Sequence, residues 1–500
     1  MLATRNSLRG RLASTNALLA VVCLAQFMIL LDVSIVNVAL PSIRDGLHFS
    51  TSGLQWVVNA YTLTFAGLLM LGGRAADLLG RRRVFLAGTA TFALSSLLCA
   101  LASSRGLLIG ARGVQGIAGA ITSPATLSII TSTLPEGRER NRGLALWGAM
   151  AALGASSGAL LGGILTEAFG WEAIFAVNIP LGALVVALGM RAIPSIAPVE
   201  GHPRHFDALG ATLVTAGLIA LTFGIVRTDT LGWGSLGVLA PLAAGVAMLA
   251  AFIYVEARVA QAPLVPLQIF RIRRLRAANV IVVLMYAATF PTFFFVTLYL
   301  QQVLHFSAIG AGLAFLPMTL SILTGSTLAP RVVARFGART VIVTAMTTMA
   351  AGMLVLSGIT PGQSYVGPVL IGEVLTAAGM GFGLVPSTIV AMQGVAGAQS
   401  GVASGLLNTS RLMGGALGLA ILSTIAGGRT GGAVGAGSAR ALTNGFDLAF
   451  TVAIGFAVAA ALVAAYALRP ASEPATVSEP ATVSELAEPT QADDRQAVAA

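Results

Sequence analysis

Four side chains in this sequence could do chemistry only inside a membrane. Asp32, Arg112 and Glu373 are ionisable groups within long apolar runs, and Gln115 follows Arg112 by three positions. A carboxylate at the centre of a membrane helix costs roughly 2.5–3.5 kcal/mol on the insertion scale, so such a residue faces water or a charged partner. Low dielectric favours the protonated carboxyl, and a nearby guanidinium favours the ionised one. A group balanced between these effects can load and release a proton as its access to water changes. Asp32 is the leading candidate carrier and Arg112 its expected charge partner. A static Asp–Arg pair that only fixes helix packing is the plainer alternative. Glu373 is open to three readings: a second proton site, a cation-substrate site, or neither.

These residues need elements to hold them. The chain has 500 residues, 56% of them hydrophobic and 10% charged, against about 25% charged in soluble domains. That composition indicates a polytopic membrane protein. Apolar runs of about 20 residues span a bilayer. Fourteen are predicted: 17–40, 54–72, 84–103, 106–131, 143–166, 173–191, 208–227, 235–255, 277–302, 309–330, 340–359, 365–391, 402–426 and 446–468. The first is longer than a signal peptide and contains Asp32, so it is read as a retained helix. Counted from these bounds at 1.5 Å per residue, Asp32 and Glu373 lie roughly 12 Å, and Arg112 roughly 9 Å, below one face.

The net charge of +10 comes with 29 basic residues, all of them Arg. Twenty-two lie in the tails and even-numbered loops, against five in the odd-numbered loops. This asymmetry places both termini in the cytoplasm. It also explains the charge without nucleic acid. Cys23 and Cys99 both fall within spans, so no structural disulfide is expected. No P-loop, His-Glu-x-x-His or Cys/His metal spacing is present. His48, His202, His205 and His305 fall in expected loops. No metal and no cofactor is therefore predicted. The tail repeats Ser472–Val477 at Ser478–Val483 and turns acidic and Pro-rich. It is expected to be disordered.

Two short loops repeat. Gly73–Val84 aligns with Pro330–Val341, matching Arg74 with Arg331, Gly80 with Gly337, Arg82 with Arg339 and Val84 with Val341. Asp77 has no counterpart; Ala334 stands there. The repeat predicts two duplicated six-helix bundles, 17–191 and 277–468, flanked by tails over 1–16 and 469–500. The region 192–276 would then carry two inserted helices. Parallel repeats of this kind place a transport site between the halves.

The Gly73–Arg83 loop resembles the signature loop of the major facilitator superfamily, G-x-x-x-D-x-x-G-R-R-R. The Leu31–Pro41 run, Trp171–Gly182, Arg112-x-x-Gln115-Gly116 and Gly401–Arg411 narrow the likeness to its 14-helix drug:proton antiporters of the EmrB/QacA type. Gly154, Gly158, Gly162 and Gly163 resemble that group's span-5 signature. Ala159 stands where the signature has Pro, which keeps the small face and weakens the kink. The resemblance implies an all-α major facilitator fold with spans 1, 4, 9 and 12 lining a cavity; Asp32, Arg112 and Glu373 all fall on these.

It further implies a conformational latch at Asp77, with Gly73, Gly80 and Arg81. The cavity wall is expected to include Met28, Gln115, Phe290, Phe293 and Phe294. The aromatic residues equally fit a lipid-facing stripe. The function implied is not enzymatic. It is proton-coupled export of drugs or antibiotics across the bacterial plasma membrane by a multi-pass monomer, with the proton gradient as energy source. Partners expected are small lipophilic or cationic compounds, protons and membrane lipid. A narrow-specificity metabolite, amino-acid or osmolyte transporter and a non-transporting receptor of the same fold are the alternatives.

Overall fold

In a bilayer every backbone N–H and C=O needs an internal partner, so apolar runs of this length form helices. The computed structural model describes residues 2–135, 138–194, 207–261, 263–395, 400–431 and 439–468, and within them the chain is helical with no strand. We number the long helices α1 (Leu2–Leu47), α2 (Thr51–Leu79), α3 (Arg81–Ala100), α4 (Arg105–Thr133), α5 (Arg138–Phe169), α6 (Asn178–Ala192) and α7 (Ala208–Leu231). The series continues with α8 (Leu236–Tyr254), α9 (Arg273–Leu298), α10 (Leu316–Phe336), α11 (Ala338–Ser357), α12 (Leu370–Met392), α13 (Ser400–Gly431) and α14 (Ala439–Ala467). Thirteen segments among the described residues are long and apolar enough to cross a membrane. The expected fifth span falls in α5, a continuous helix whose apolar described stretch is Ser157–Phe169. The Ser472–Val483 repeat, His202, His205 and the Asp77 side chain lie outside what is described.

The first span is longer than predicted. It continues through Pro41 to Leu47, because a proline within a helix removes one hydrogen bond without forbidding its φ. Asp32 therefore lies fifteen residues, roughly 22 Å, from that helix end, not eight.

The repeat between the halves is visible in the turns. Gly80 joins α2 to α3 at φ 96°, and Gly337 joins α10 to α11 at φ 78°. Both lie in the left-handed region, where a Cβ is strained. A second repeat was not anticipated. Leu47-His48-Phe49-Ser50-x-x-Gly53 recurs as Leu304-His305-Phe306-Ser307-x-x-Gly310. His48 and His305 adopt φ 55° and 56°, and Ser50 and Ser307 each cap the next helix by accepting from the Gly three residues on. Side-chain oxygen capping of this kind satisfies an orphan N–H.

Helices α1–α6 pack among themselves, as do α9–α14, while α7 pairs with α8 and leans on α2 and α13. Helices α2 and α13 run antiparallel along the boundary between halves. Ser423 donates to Gln55 at 2.6 Å, Thr409 to the Ala66 carbonyl at 3.5 Å, and Met70 lies over Gly405.

Candidate functional site

Asp32 ends up inside the N-terminal half. Its carboxylate is fully buried, and Arg112 is 1% exposed. Arg112 Nη1 donates to Asp32 Oδ2 at 2.6 Å and to Gln115 Oε1 at 2.6 Å. Gln115 Nε2 donates to Asp32 Oδ1 at 2.8 Å and to Ser96 Oγ at 2.7 Å. Asn178 Nδ2 donates to Asp32 Oδ1 at 2.8 Å. Arg112 Nε reaches the Val57 carbonyl at 2.9 Å, and the Tyr61 ring lies 4.4 Å from the guanidinium carbon. Charge-assisted bonds of this length are the strong class. Helices α4 and α6 thus bond the α1 carboxylate directly, and α2 and α3 hold Arg112 and Gln115 in place behind it.

Helical spacing explains part of this. Arg112 and Gln115 are three apart, so both project from one face of α4. Asn178 begins α6, just past the bend that follows Ala173–Ala176. It lay within the Trp171–Gly182 motif, but only the tertiary packing brings it to Asp32. Ser96 carried no signal at all; a serine in an apolar helix usually bonds its own backbone, and this one also does so, to Phe92.

The wall of α1 beside Asp32 is held by α5. A Cβ at Gly154 would meet the Phe27 carbonyl, one at Gly158 the Ser34 hydroxyl, and one at Gly162 the Ile35 carbonyl. Ser34 Oγ in turn lies 3.2 Å from the Gly154 carbonyl. Gly163 faces the other way, onto the Ala308 carbonyl across the boundary between halves. Nearby, Gly312 packs on the Ala159 carbonyl, and the Ile309 N–H donates to Glu167 Oε2 at 3.0 Å. Gln301 donates to the Val38 carbonyl at 2.7 Å and Arg44 to Gln302 at 2.9 Å. The two halves are closed together at the His48/His305 end.

Glu373 does not join Asp32. It sits in the first turn of α12, fully buried, beyond the short distorted segment Tyr365–Val369. Tyr365 shares its single O–H between the Ala314 carbonyl at 2.6 Å and Glu373 Oε2 at 3.3 Å. Glu373 Oε1 and the Thr376 hydroxyl, one turn on, have no partner in the structure.

The chain belongs to the Major Facilitator Superfamily. The superfamily's sequence profile matches residues 22–419. The chain is 40% identical to the cephamycin export protein CmcT of Amycolatopsis lactamdurans over 86% of this chain and 89% of that one. It is 39% identical to the puromycin resistance protein pur8 of Streptomyces alboniger, covering 87% and 88%. Among solved structures, the POT family transporter PepTSo matches with a TM-score of 0.67 at 14% identity, covering 91% and 98%. The nucleoside transporter NupG matches at 0.61 and 14%, covering 91% and 100%.

The remaining residues singled out in this superfamily member are placed as follows. Met28, Gln115 and Phe294 are fully buried and line no open cavity in this conformation: Met28 packs with Phe92, Gln115 serves Asp32, and Phe294 meets Phe295 edge-on at 5.4 Å. Three aromatics on one helical face fan out, because each meets a different neighbour. Phe290, half-buried, covers Gly415, and Phe293 stacks on Phe315 at 5.6 Å. Gly73 lies against Pro124, Gly80 makes the α2–α3 turn, and Arg81 opens α3. Asp77 falls within α2.

Proposed function

We propose that this chain is a proton-coupled exporter of small drug-like or antibiotic compounds that works by alternating access. The observation that carries the reading is the Asp32 cluster: an ionisable carboxylate, buried deep in the membrane-spanning bundle, held by Arg112, Gln115 and Asn178. Relatives named for cephamycin export and puromycin resistance support export as the direction of transport. Protonation of Asp32 would weaken its bond to Arg112 and release α4 from α1. Substrate in the cavity would favour the ionised form.

The Arg-rich loops are read as cytoplasmic. On that orientation the closed His48/His305 end faces outward. Asp77, Gly73, Gly80 and Arg81 would latch the cytoplasmic side in the opposite state. Glu373 is assigned as a second proton site, since a buried carboxylate without a cation is held neutral.

The test is Asp32→Asn in everted vesicles with a quenched pH dye. Substrate-driven proton release should vanish while substrate binding persists. Undiminished release would remove Asp32 from the coupling mechanism.

A further inference from the structure

We propose that the exporter carries a binding pocket for anionic amphiphiles, built by α12 and α13 around Arg411. This inference rests on the export reading above and specifies its substrate class.

A pocket of about 590 Å³ opens between these helices, within the size range of small-molecule sites. Leu384, Val385, Ile389 and Met392 give it an apolar wall from α12, and Arg411 enters from α13. Arg411 is half-buried. Its Nη2 donates to Thr388 Oγ1 at 2.9 Å, and its Nε has no partner in the structure. Thr388 is a neutral acceptor and leaves the charge uncompensated. Among the described residues no carboxylate lies within ion-pairing distance of Arg411, in contrast to Arg112.

The charges near this pocket are basic among the described residues of the helices that build it. Helices α9, α10 and α13 contain no Asp or Glu, and α12 contains only Glu373. Glu373 is fifteen residues from Thr388 on the same helix, roughly 22 Å away. At the rim, Gln393 lines the pocket and accepts from Arg274 at 3.0 Å. A guanidinium cannot shed its proton, and an unpaired charge at membrane depth is costly. A carboxylate or sulfonate that brings its own apolar body satisfies both halves of the site. The planar fork of Arg411 suits such oxygens in two-point contact. Among the described residues a cation meets only like charge here. Within the expected class of small lipophilic or cationic compounds, this pocket selects lipophilic ones that carry an anion.

The experiment uses the full chain with two dyes sharing a xanthene ring, anionic fluorescein and cationic rhodamine 6G. Equilibrium binding in detergent and transport in proteoliposomes are both measured. Wild type should bind fluorescein more tightly than rhodamine 6G. Arg411→Gln should weaken fluorescein binding at least tenfold and leave rhodamine 6G within twofold, and Arg411→Lys should recover part of the loss. Should Arg411→Gln fail to fold, Val385→Glu places an acid in the same pocket and should switch the preference to rhodamine 6G. Equal loss of both dyes in Arg411→Gln, or tighter wild-type binding of the cation, overturns the proposal. Binding that follows this pattern without transport of either dye supports the pocket and instead rejects the export reading.

Discussion

The guanidinium of Arg112 lies 2.6 Å from Asp32 Oδ2, and water reaches neither group. Two opposite charges taken out of water repay their desolvation only through close geometry and further hydrogen bonds. Gln115, Asn178 and the Val57 carbonyl supply those bonds here. Removing one charge should therefore hurt more than removing both. Arg112→Ala should destabilise the N-terminal half by about 3–5 kcal/mol. The double variant Asp32→Leu/Arg112→Met should regain most of that in thermal unfolding in detergent, yet transport nothing.

Asn178 carries no charge of its own, and its contribution can be isolated. Asn178→Leu removes one of two side-chain amide donors to Asp32 Oδ1. The cost should be about 1–3 kcal/mol, the penalty of an under-satisfied buried acceptor. Substrate-driven proton release should slow more than substrate binding weakens. Equal effects on both would reduce Asn178 to a packing residue.

The two kinds of glycine in α5 should separate in their phenotypes. Gly158 abuts Ser34 on α1 within one half, so Gly158→Val should cost the 1–3 kcal/mol or more of an overpacked core and reduce the amount of folded protein. Gly163 abuts Ala308 in the other half. Gly163→Val should leave each half folded and hinder only their closure. A cysteine placed at Ser307 should then label faster with a membrane-impermeant maleimide from that side.

Closure at the same end should respond to acid. The Ile309 backbone N–H and then the Ser307 hydroxyl hold the Glu167 carboxyl below its ordinary value. The ionised carboxylate is the form that accepts those bonds. Their contribution is complete above the ordinary glutamate range and is lost as pH at that face falls through the lowered value. Maleimide labelling of an Ala308→Cys probe, normalised at each pH to the same probe in Glu167→Gln, should rise on acidification.

Glu373 differs from Asp32 in having no ion-pair partner among the described residues. Glu373→Gln should fold normally, because the amide can still accept from Tyr365 while its new N–H₂ faces the position of the orphan Oε1. The pH profile of transport should shift or lose a limb. An unaltered profile would leave Glu373 as a packing residue.

The sequence by itself determined the helices, because twenty apolar residues in lipid have one way to satisfy their backbone. It determined the duplication, through Gly73–Val84 and Pro330–Val341, and it singled out Asp32, Arg112 and Gln115 as residues too costly to be idle. Spacing of three on one helix was enough to pair Arg112 with Gln115. Tertiary structure alone decided what lies opposite each face. Asn178 comes to Asp32, and Ser96 to Gln115 beside it, from other helices, and no local period encodes which helix a small polar residue will meet. The same applies to Phe294, which shares a helical face with Phe290 and Phe293 and yet turns into the core. It applies most to Arg411. Its charge was visible in the sequence, but whether a carboxylate stood beside it depended on the rotation of α12 and α13 about their axes. That rotation is set by close packing, not by hydropathy.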